Sequence, residues 1–415
     1  MKINKVDLEN ILYGACFLAS GGGGTIESGQ KCIDKSSFKN EDDFIEVIDY
    51  CDIKDNEWII PSSGMGDPSA DFDSSDLNMS MFNVIRLIEK WCKENINEFK
   101  NFKYILPMEV GTINSILPII AAKIAKDKGI DIKVVNADPS GRATPTLPLT
   151  LFSGYNCDIV PNFIASGADV KLNKIPYATF NLNDINTLQS SFEPLFTSSE
   201  FGYCSSFSLY PKSKKELKPK FLVQYTMEDA LNIGKILNEK KNDTPLKRVN
   251  EIISYMNNQS KEKRETKKAF YGTLTAIEIN SQNGHDIGNF IIEGKKEFKG
   301  KKLKIATANE NIYANIITTD KSGQTKEETL ITGPDSISLI PKFSNTKIQE
   351  ENAIKILDVT DLEAWFNCPI KNNKIDLYVI SIEASKNVRK CDNLIDIWNQ
   401  FSKSLGGFGN YPKIK

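Results

Sequence analysis

The chain has a single histidine, His285, in 415 residues. That scarcity excludes a zinc site built from several imidazoles and an HExxH metalloprotease helix. A Ser-His-Asp or Cys-His arrangement would have to recruit His285 itself. His285 lies in NGHDIG, which reads as a solvent-exposed hairpin turn. Eight cysteines are present and none are spaced CxxC. They read as free thiols, mostly small core residues, and no structural zinc is expected. Lys plus Arg number 52 against 54 Asp plus Glu, a net charge of −2, so no excess of one sign draws the chain to nucleic acid or an anionic membrane. The start lacks a basic segment followed by an apolar one, and no apolar run is long enough to span a bilayer. A cytoplasmic location, with no nucleic-acid and no membrane partner, is the expectation. There is no internal repeat and no low-complexity tract. No cofactor is identified, and a homo-oligomer is left open.

Length and a hydrophobic content of 40% favour two domains. Strand and helix patterns alternate to about residue 165: helix over 5–18, strands at 45–50, 57–63, 104–109 and 132–135, helices over 81–94 and 116–125. This argues for an α/β class with an N-terminal three-layer domain over 1–168. Residues 169–415 form the rest. A helix fits 226–240, with Thr226 as its N-cap. From Ala269 to Ile340 the period becomes two, which predicts a β-rich, barrel-like domain over about 266–365. A strand at 374–384 and a helix at 393–401 close the chain.

Polar residues concentrate around one apolar helix between Leu106 and Leu151. Glu109, Gly111, Thr112 and Asn114 precede it; Asn136, Asp138, Ser140, Gly141 and Arg142 follow it. Loops after strands are where open α/β sheets place ligand groups. Glu109 and Asn114 suit an amide-like substrate, or Glu109 caps the following helix. Asp138 and Arg142 form a plain salt bridge fixing a loop about Gly141, or Arg142 recognises a carboxylate or imide oxygen. Upstream, Ser20–Thr25 holds four consecutive glycines, including Gly22 and Gly23. The run cradles an anion on backbone N–H groups or is a tight turn. No GK[ST] follows and a helix precedes it, so neither a P-loop nor a dinucleotide fingerprint fits. Asp67, Asp71, Asp73 and Asp76 form an acidic cluster. It reads as a solvated loop with helix caps or as a source of general acid/base chemistry; a cation shared with Asp138 matches no metal motif.

MEVGTIN followed by NADPSGRATPTLPL resembles the paired signature of the domain-of-unknown-function 917 family, described as S-methyl thiohydantoin desulfurases associated with hydantoinase/oxoprolinase-type enzymes. Glu109, Gly111, Asn114, Asp138, Gly141, Arg142, Ala143 and Pro145 match its pattern; Asn136 stands where the family usually has Asp. ASGGGG (19–24), GMGDP (64–68), YGTLTAIEI, GNFIIEG, ANENIYA and GPDSISLI extend the resemblance over nearly the whole chain. It implies a hydrolase-like enzyme acting on a small thiohydantoin or hydantoin-type ring. A Glu of the family near Asp73 makes Asp73 the choice for general acid/base. The ring carbon bearing the S-methyl group is electrophilic. Cys204 could therefore add as a thiolate and expel methanethiol, with Cys16 as runner-up, against the alternative that both thiols are structural. The expected site thus comprises Cys204, Asp73 and Glu109 for catalysis and Gly22, Gly23, Asn114, Asp138, Gly141 and Arg142 for substrate. An amidohydrolase partner of a hydantoinase and a non-enzymatic ligand-binding or subunit-interaction protein are the alternatives.

Overall fold

The computed structural model describes residues 1–39, 42–66, 72–167, 175–239, 243–282, 285–343, 358–367 and 374–413. Strands β1 (Lys2–Ile3), β2 (Ile45–Ile48), β3 (Trp58–Gly66), β4 (Phe102–Pro107) and β5 (Lys133–Val135) come first. Then follow β6 (Ala137–Asp138), β7 (Asn162–Ala165), β8 (Tyr177–Phe180), β9 (Cys204–Ser208), β10 (Lys212–Ser213) and β11 (Val223–Gln224). All but β6 and β11 build one mixed sheet, ordered β1-β2-β5-β4-β3-β9-β7-β8, with β10 beside β3. Strands β2, β5, β4 and β3 run parallel; β9 returns antiparallel along the C-terminal half of β3. β6 and β11 pair with each other.

Alternate residues of the parallel strands enter different cores. Ile60, Ile105 and Val134 pack under α1 (Lys5–Leu18), α2 (Ile26–Asp34), α3 (Ser74–Asn95) and α4 (Leu117–Asp127). Ile59, Tyr104, Leu106 and Val135 face the other way, with Phe152 of α5 (Leu151–Gly154) and Phe192 of α6 (Ile185–Phe196). Burial on both faces explains why these strands read as continuous apolar runs. The three-layer arrangement expected from the alternating pattern is present. Its sheet takes strands from both sides of residue 168: β8, β9 and β10 lie beyond it.

Helix starts follow their caps. Asn4 and Asp7 form a reciprocal capping box on α1, and Asp73 accepts the Ser75 N–H at 2.7 Å to start α3 a full two turns before the apolar periodicity becomes plain. The helix at 226 begins differently from expectation. In α7 (Thr226–Asn238) the N-cap is Tyr225, at φ 64°, and the Asn136 side chain accepts the Glu228 N–H in place of a cap.

The antiparallel sheet comprises β12 (Thr266–Gln282), β13 (His285–Gly294), β14 (Lys301–Ala308), β15 (Glu310–Thr319), β16 (Thr325–Thr332), β17 (Ser336–Phe343) and β18 (Ile375–Ile382). Its order is β16-β15-β14-β13-β12-β18-β17. Among the described residues no ladder joins β16 to β17. Bulges in β12, β15 and β16 bend the sheet, and its inner face has a core of its own around Phe270, Phe290 and Leu377.

Two helices join the sheets. Gly14 of α1 and Gly234 of α7 sit where each helix meets the other's backbone: a Cβ on Gly14 would lie 1.7 Å from the Ala230 carbonyl oxygen, and one on Gly234 1.7 Å from that of Asn10. Tyr271, Ile340 and Tyr378 of the antiparallel sheet then share a core with these helices.

Candidate active site

A cavity of about 250 Å³ opens where the two sheets meet. Its walls come from the glycine run, the C-terminal end of β3, the loop after β4, the loop after β6 and the β13 and β14–β15 ends of the antiparallel sheet.

Glu109 is the best-anchored group in it. Asn114 Nδ2 donates to its Oε1 at 2.8 Å, and the Thr144 N–H and Oγ donate to Oε2 at 2.8 and 3.3 Å. Asn114 Oδ1 in turn accepts the Gly64 N–H at 2.8 Å, tying the end of β3 to the loop. Burial raises the Glu109 carboxyl above the ordinary glutamate range, against these donors, which hold it down. Glu109 therefore caps no helix; it joins the two signature loops.

Glu310, at the head of β15, is the second carboxyl. It is 3% exposed and its Oε2 has no hydrogen-bond partner among the described residues. Burial and the nearby Glu109 charge push its pKa well above the usual value, while Arg142 and the Gly23 N–H oppose the shift more weakly. Two like charges sharing one dry site favour the protonated form of Glu310 over that of Glu109.

The glycines are needed for closeness. A Cβ on Gly22 would fall 2.3 Å from Glu310 Oε1, and one on Gly23 (φ 76°) 2.7 Å from the Gly111 Cα. The loop's carbonyls are occupied: Gly21 accepts from Val359, Gly22 from Thr112 Oγ and Gly23 from Ile113. The run is a wedge between the two carboxyl-bearing segments, and its carbonyls, not only its N–H groups, carry that role.

Arg142 and Asp138 do other work than expected. No ion pair links them among the described residues. Asp138 Oδ1 accepts the N–H groups of Ser140 and Gly141, closing its own loop. Arg142 is 1% exposed; Nη1 donates to the Asp335 carbonyl at 2.6 Å and Nη2 to that of Asn311 at 2.9 Å, with Trp398 5.0 Å from its centre. Gly141 packs on Val223 at φ 73°, and its carbonyl accepts from Arg264. None of the three lines the cavity. They fasten the signature loop to the antiparallel sheet behind it.

Asp73 is an exposed cap on α3 and lies outside the lining. Asp67 and Asp71, with the Pro68 turn, fall outside the described residues, as does Cys368. Cys204 pairs with Gly66 in β9 and is fully buried. Burial, helped by Asp76, pushes its thiol up to about 12. A nucleophilic thiolate needs access and a lowered pKa, and Cys204 has neither. Cys16 is likewise buried, its thiol raised well above the ordinary value by burial and by Asp358.

His285 differs most from its reading as an exposed turn. Its side chain is 20% exposed and faces the cavity. Asn309 Nδ2 lies 3.2 Å from Nδ1, which makes Nδ1 the acceptor and leaves the proton on Nε2, 3.6 Å from Glu193. Asn309, at φ 58°, also accepts the Asp286 N–H. Glu310, His285, Asp286 and Asp358 were missed by sequence reasoning. One signal existed: Glu310 is the lone charge in ATANENIYANII, an otherwise apolar or neutral stretch.

One group of metal-type donors stands elsewhere, Asp49, Cys51 and Asp52, within 4.8 Å of one another at the surface. Asp49 there already accepts from Asn136 and Lys261.

The N-terminal domain model of the S-Me-THD-like family matches residues 6–172, and the C-terminal domain model matches 196–362. A crystal structure of a protein from Chromobacterium violaceum superposes with a TM-score of 0.74 over 100% of both chains at 18% identity, a likeness of fold. No curated protein matches the chain.

Proposed function

Since the chain belongs to the S-methyl thiohydantoin desulfurase-like (S-Me-THD-like) family, matched over both of that family's domains, we propose that it hydrolyses an S-methyl thiohydantoin to the hydantoin and methanethiol, using Glu109 and Glu310 as an acid–base pair. The observation that carries this is the contrast between the two carboxyls at one cavity: Glu109 held by three donors, Glu310 with a bare oxygen and a raised pKa. Groups pushed apart in this way divide into base and acid.

Water adds to the ring carbon that carries sulfur. Glu109 removes a proton from the water as the C–O bond forms, and Glu310 gives its proton to the ring nitrogen as the C=N bond becomes single. The tetrahedral carbon then bears OH, SCH3 and NH. On collapse the C–S bond breaks; the Glu109 proton goes to sulfur and the hydroxyl proton returns to Glu310. Methanethiol and hydantoin leave, and both carboxyls regain their starting states. Neither Cys204 nor Cys16 enters, which fits their burial.

The test is to incubate the protein with a 5-substituted S-methyl thiohydantoin and follow methanethiol by thiol titration and hydantoin by mass. Equimolar products are expected. A ring-opened product would move the site to amidohydrolase chemistry. No turnover, or undiminished turnover in both Glu109→Gln and Glu310→Gln, would refute the proposal.

A further inference from the structure

The cavity carries carboxyls beyond the two that the hydrolysis uses. Asp358 is 2% exposed and lines it. Its Oδ1 accepts the Asp361 N–H at 2.7 Å, starting the helix Val359–Phe366, while Oδ2 accepts no hydrogen bond among the described residues. The Val359 N–H donates to the Gly21 carbonyl at 3.1 Å, which sets Asp358 beside Gly21, next to the Gly22 that Glu310 meets. Asp286 adds a fourth acid to the lining, after Glu109, Glu310 and Asp358. Among the described lining residues there is no Lys and no Arg, and the one basic side chain is His285. The buried Arg142 spends its guanidinium on backbone carbonyls behind the wall.

We propose that the cavity selects a ring whose 5-substituent ends in a positive charge, an ammonium or guanidinium, and that Asp358 is the residue that receives it. The inference rests on the desulfurase reading for the ring and goes beyond it by naming the charge of the rest of the molecule. The physical argument is desolvation. A buried carboxylate with an oxygen that accepts nothing is expensive; burial and Asp361 accordingly raise the Asp358 carboxyl, which favours its protonated form while no donor is present. A cation arriving at Oδ2 supplies the missing donor and lets the carboxylate form. A neutral chain of the same length offers no donor. An anionic one adds like charge to a site already holding the Glu109 carboxylate and Asp286, which costs binding in a dry pocket.

Three S-methyl thiohydantoins whose side chains differ by at most one heavy atom in length separate these cases: those made from lysine, norleucine and 2-aminoadipate. The lysine compound is expected to exceed the norleucine compound in kcat/KM by about tenfold, the scale of one buried charge-assisted hydrogen bond, and the aminoadipate compound to be the poorest. In Asp358→Asn the helix cap survives, because an Asn oxygen still accepts the Asp361 N–H, so an unchanged melting temperature is the folding control. The lysine-to-norleucine ratio should there fall toward one. Equal or better turnover of the norleucine or aminoadipate compound by the wild type overturns the inference. The corresponding hydantoins, as unreactive ligands, give a second readout in thermal shift. If nothing is turned over but the lysine hydantoin alone stabilises the fold, the charge preference stands and the desulfurase reading fails. If no compound is turned over and none stabilises, both fail.

Discussion

At the scale of single residues, the proposed chemistry depends on two glutamates being in opposite protonation states. Glu109 acts only when ionised, and its pKa lies above the ordinary 4.5 because of burial. Glu310 acts only when protonated, and its pKa is raised further. Activity should therefore rise with pH through the Glu109 value and fall again through that of Glu310, a bell in kcat/KM. Glu310→Gln should lower kcat by about 10²–10⁴-fold, the usual worth of a positioned acid, with the melting temperature little changed. Retention of the alkaline limb in a still-active Glu310→Gln enzyme would assign that limb to another group. A different buried acid governs stability. Asp229 accepts from Tyr255 and Ser260, and burial raises its pKa from 3.8 to about 6. A carboxyl raised on folding contributes stability that is complete below its unfolded pKa and is lost as pH rises through the folded one. The loss for Asp229 spans pH 4 to 6 and amounts to roughly 3 kcal/mol for a shift of this size. Asp229→Asn has no such loss. Its melting temperature relative to wild type should therefore improve from pH 4 to pH 7; a constant difference would exclude the effect.

At the scale of elements, glycine decides two close approaches. The wedge at Gly22 and Gly23 brings the loop after α1 between Glu310 and Gly111. Gly23→Ala must place a Cβ at φ 76° within 2.7 Å of the Gly111 Cα, so the loop holding Glu109 has to shift. A cost of about 1–3 kcal/mol is expected by urea titration, with a larger proportional fall in kcat than in KM affinity, since positioning suffers most. The α1–α7 crossing is the second. Gly14→Ala would collide with the Ala230 carbonyl, and backbone cannot swing aside as a side chain can. The helices must separate, at about 1–3 kcal/mol or more. Activity measured below the melting temperature should survive that change better than it survives Gly23→Ala, because the crossing lies away from the cavity lining.

At the scale of the whole molecule, the cavity exists only while the two sheets stay together. Arg142 is central to that joint: its guanidinium bonds two carbonyls of the antiparallel sheet region and stacks toward Trp398, and Ser20 adds bonds to Asn311 and Ile337. Arg142→Met keeps much of the volume but leaves buried carbonyls short of donors. A loss of about 2–4 kcal/mol is expected from thermal or urea unfolding, together with faster limited proteolysis between the sheets. Arg142→Lys should recover little, since one ammonium cannot span both carbonyls as the fork does. Undiminished stability in Arg142→Met would mean that the helices and Ser20 alone hold the joint. Among the described residues no helix is long and apolar enough to cross a membrane.

The sequence by itself determined whatever depends on neighbours along the chain. Apolar runs such as 102–107 and 133–135 read as strands buried on both faces, and the switch to period two from Ala269 marked the second sheet. The four glycines and the pairing of Glu109 with Asn114 were equally local, and the family signature lay in the same residues. Only the tertiary structure decided which polar residues share a space. Glu310 is 201 positions from Glu109, and no periodicity links them. Arg142 and Asp138 lie close to the signature helix, yet the fold turns them to backbone carbonyls and loop N–H groups. His285 reads as a turn because a short polar run between strands usually meets water; here that strand end is covered by α6. Cys204 reads as reactive for want of a clear pattern around it, and pairing with β3 buries it. Burial and long-range pairing set which carboxyl holds a proton and which thiol is inert, and neither is written in spacing along the chain.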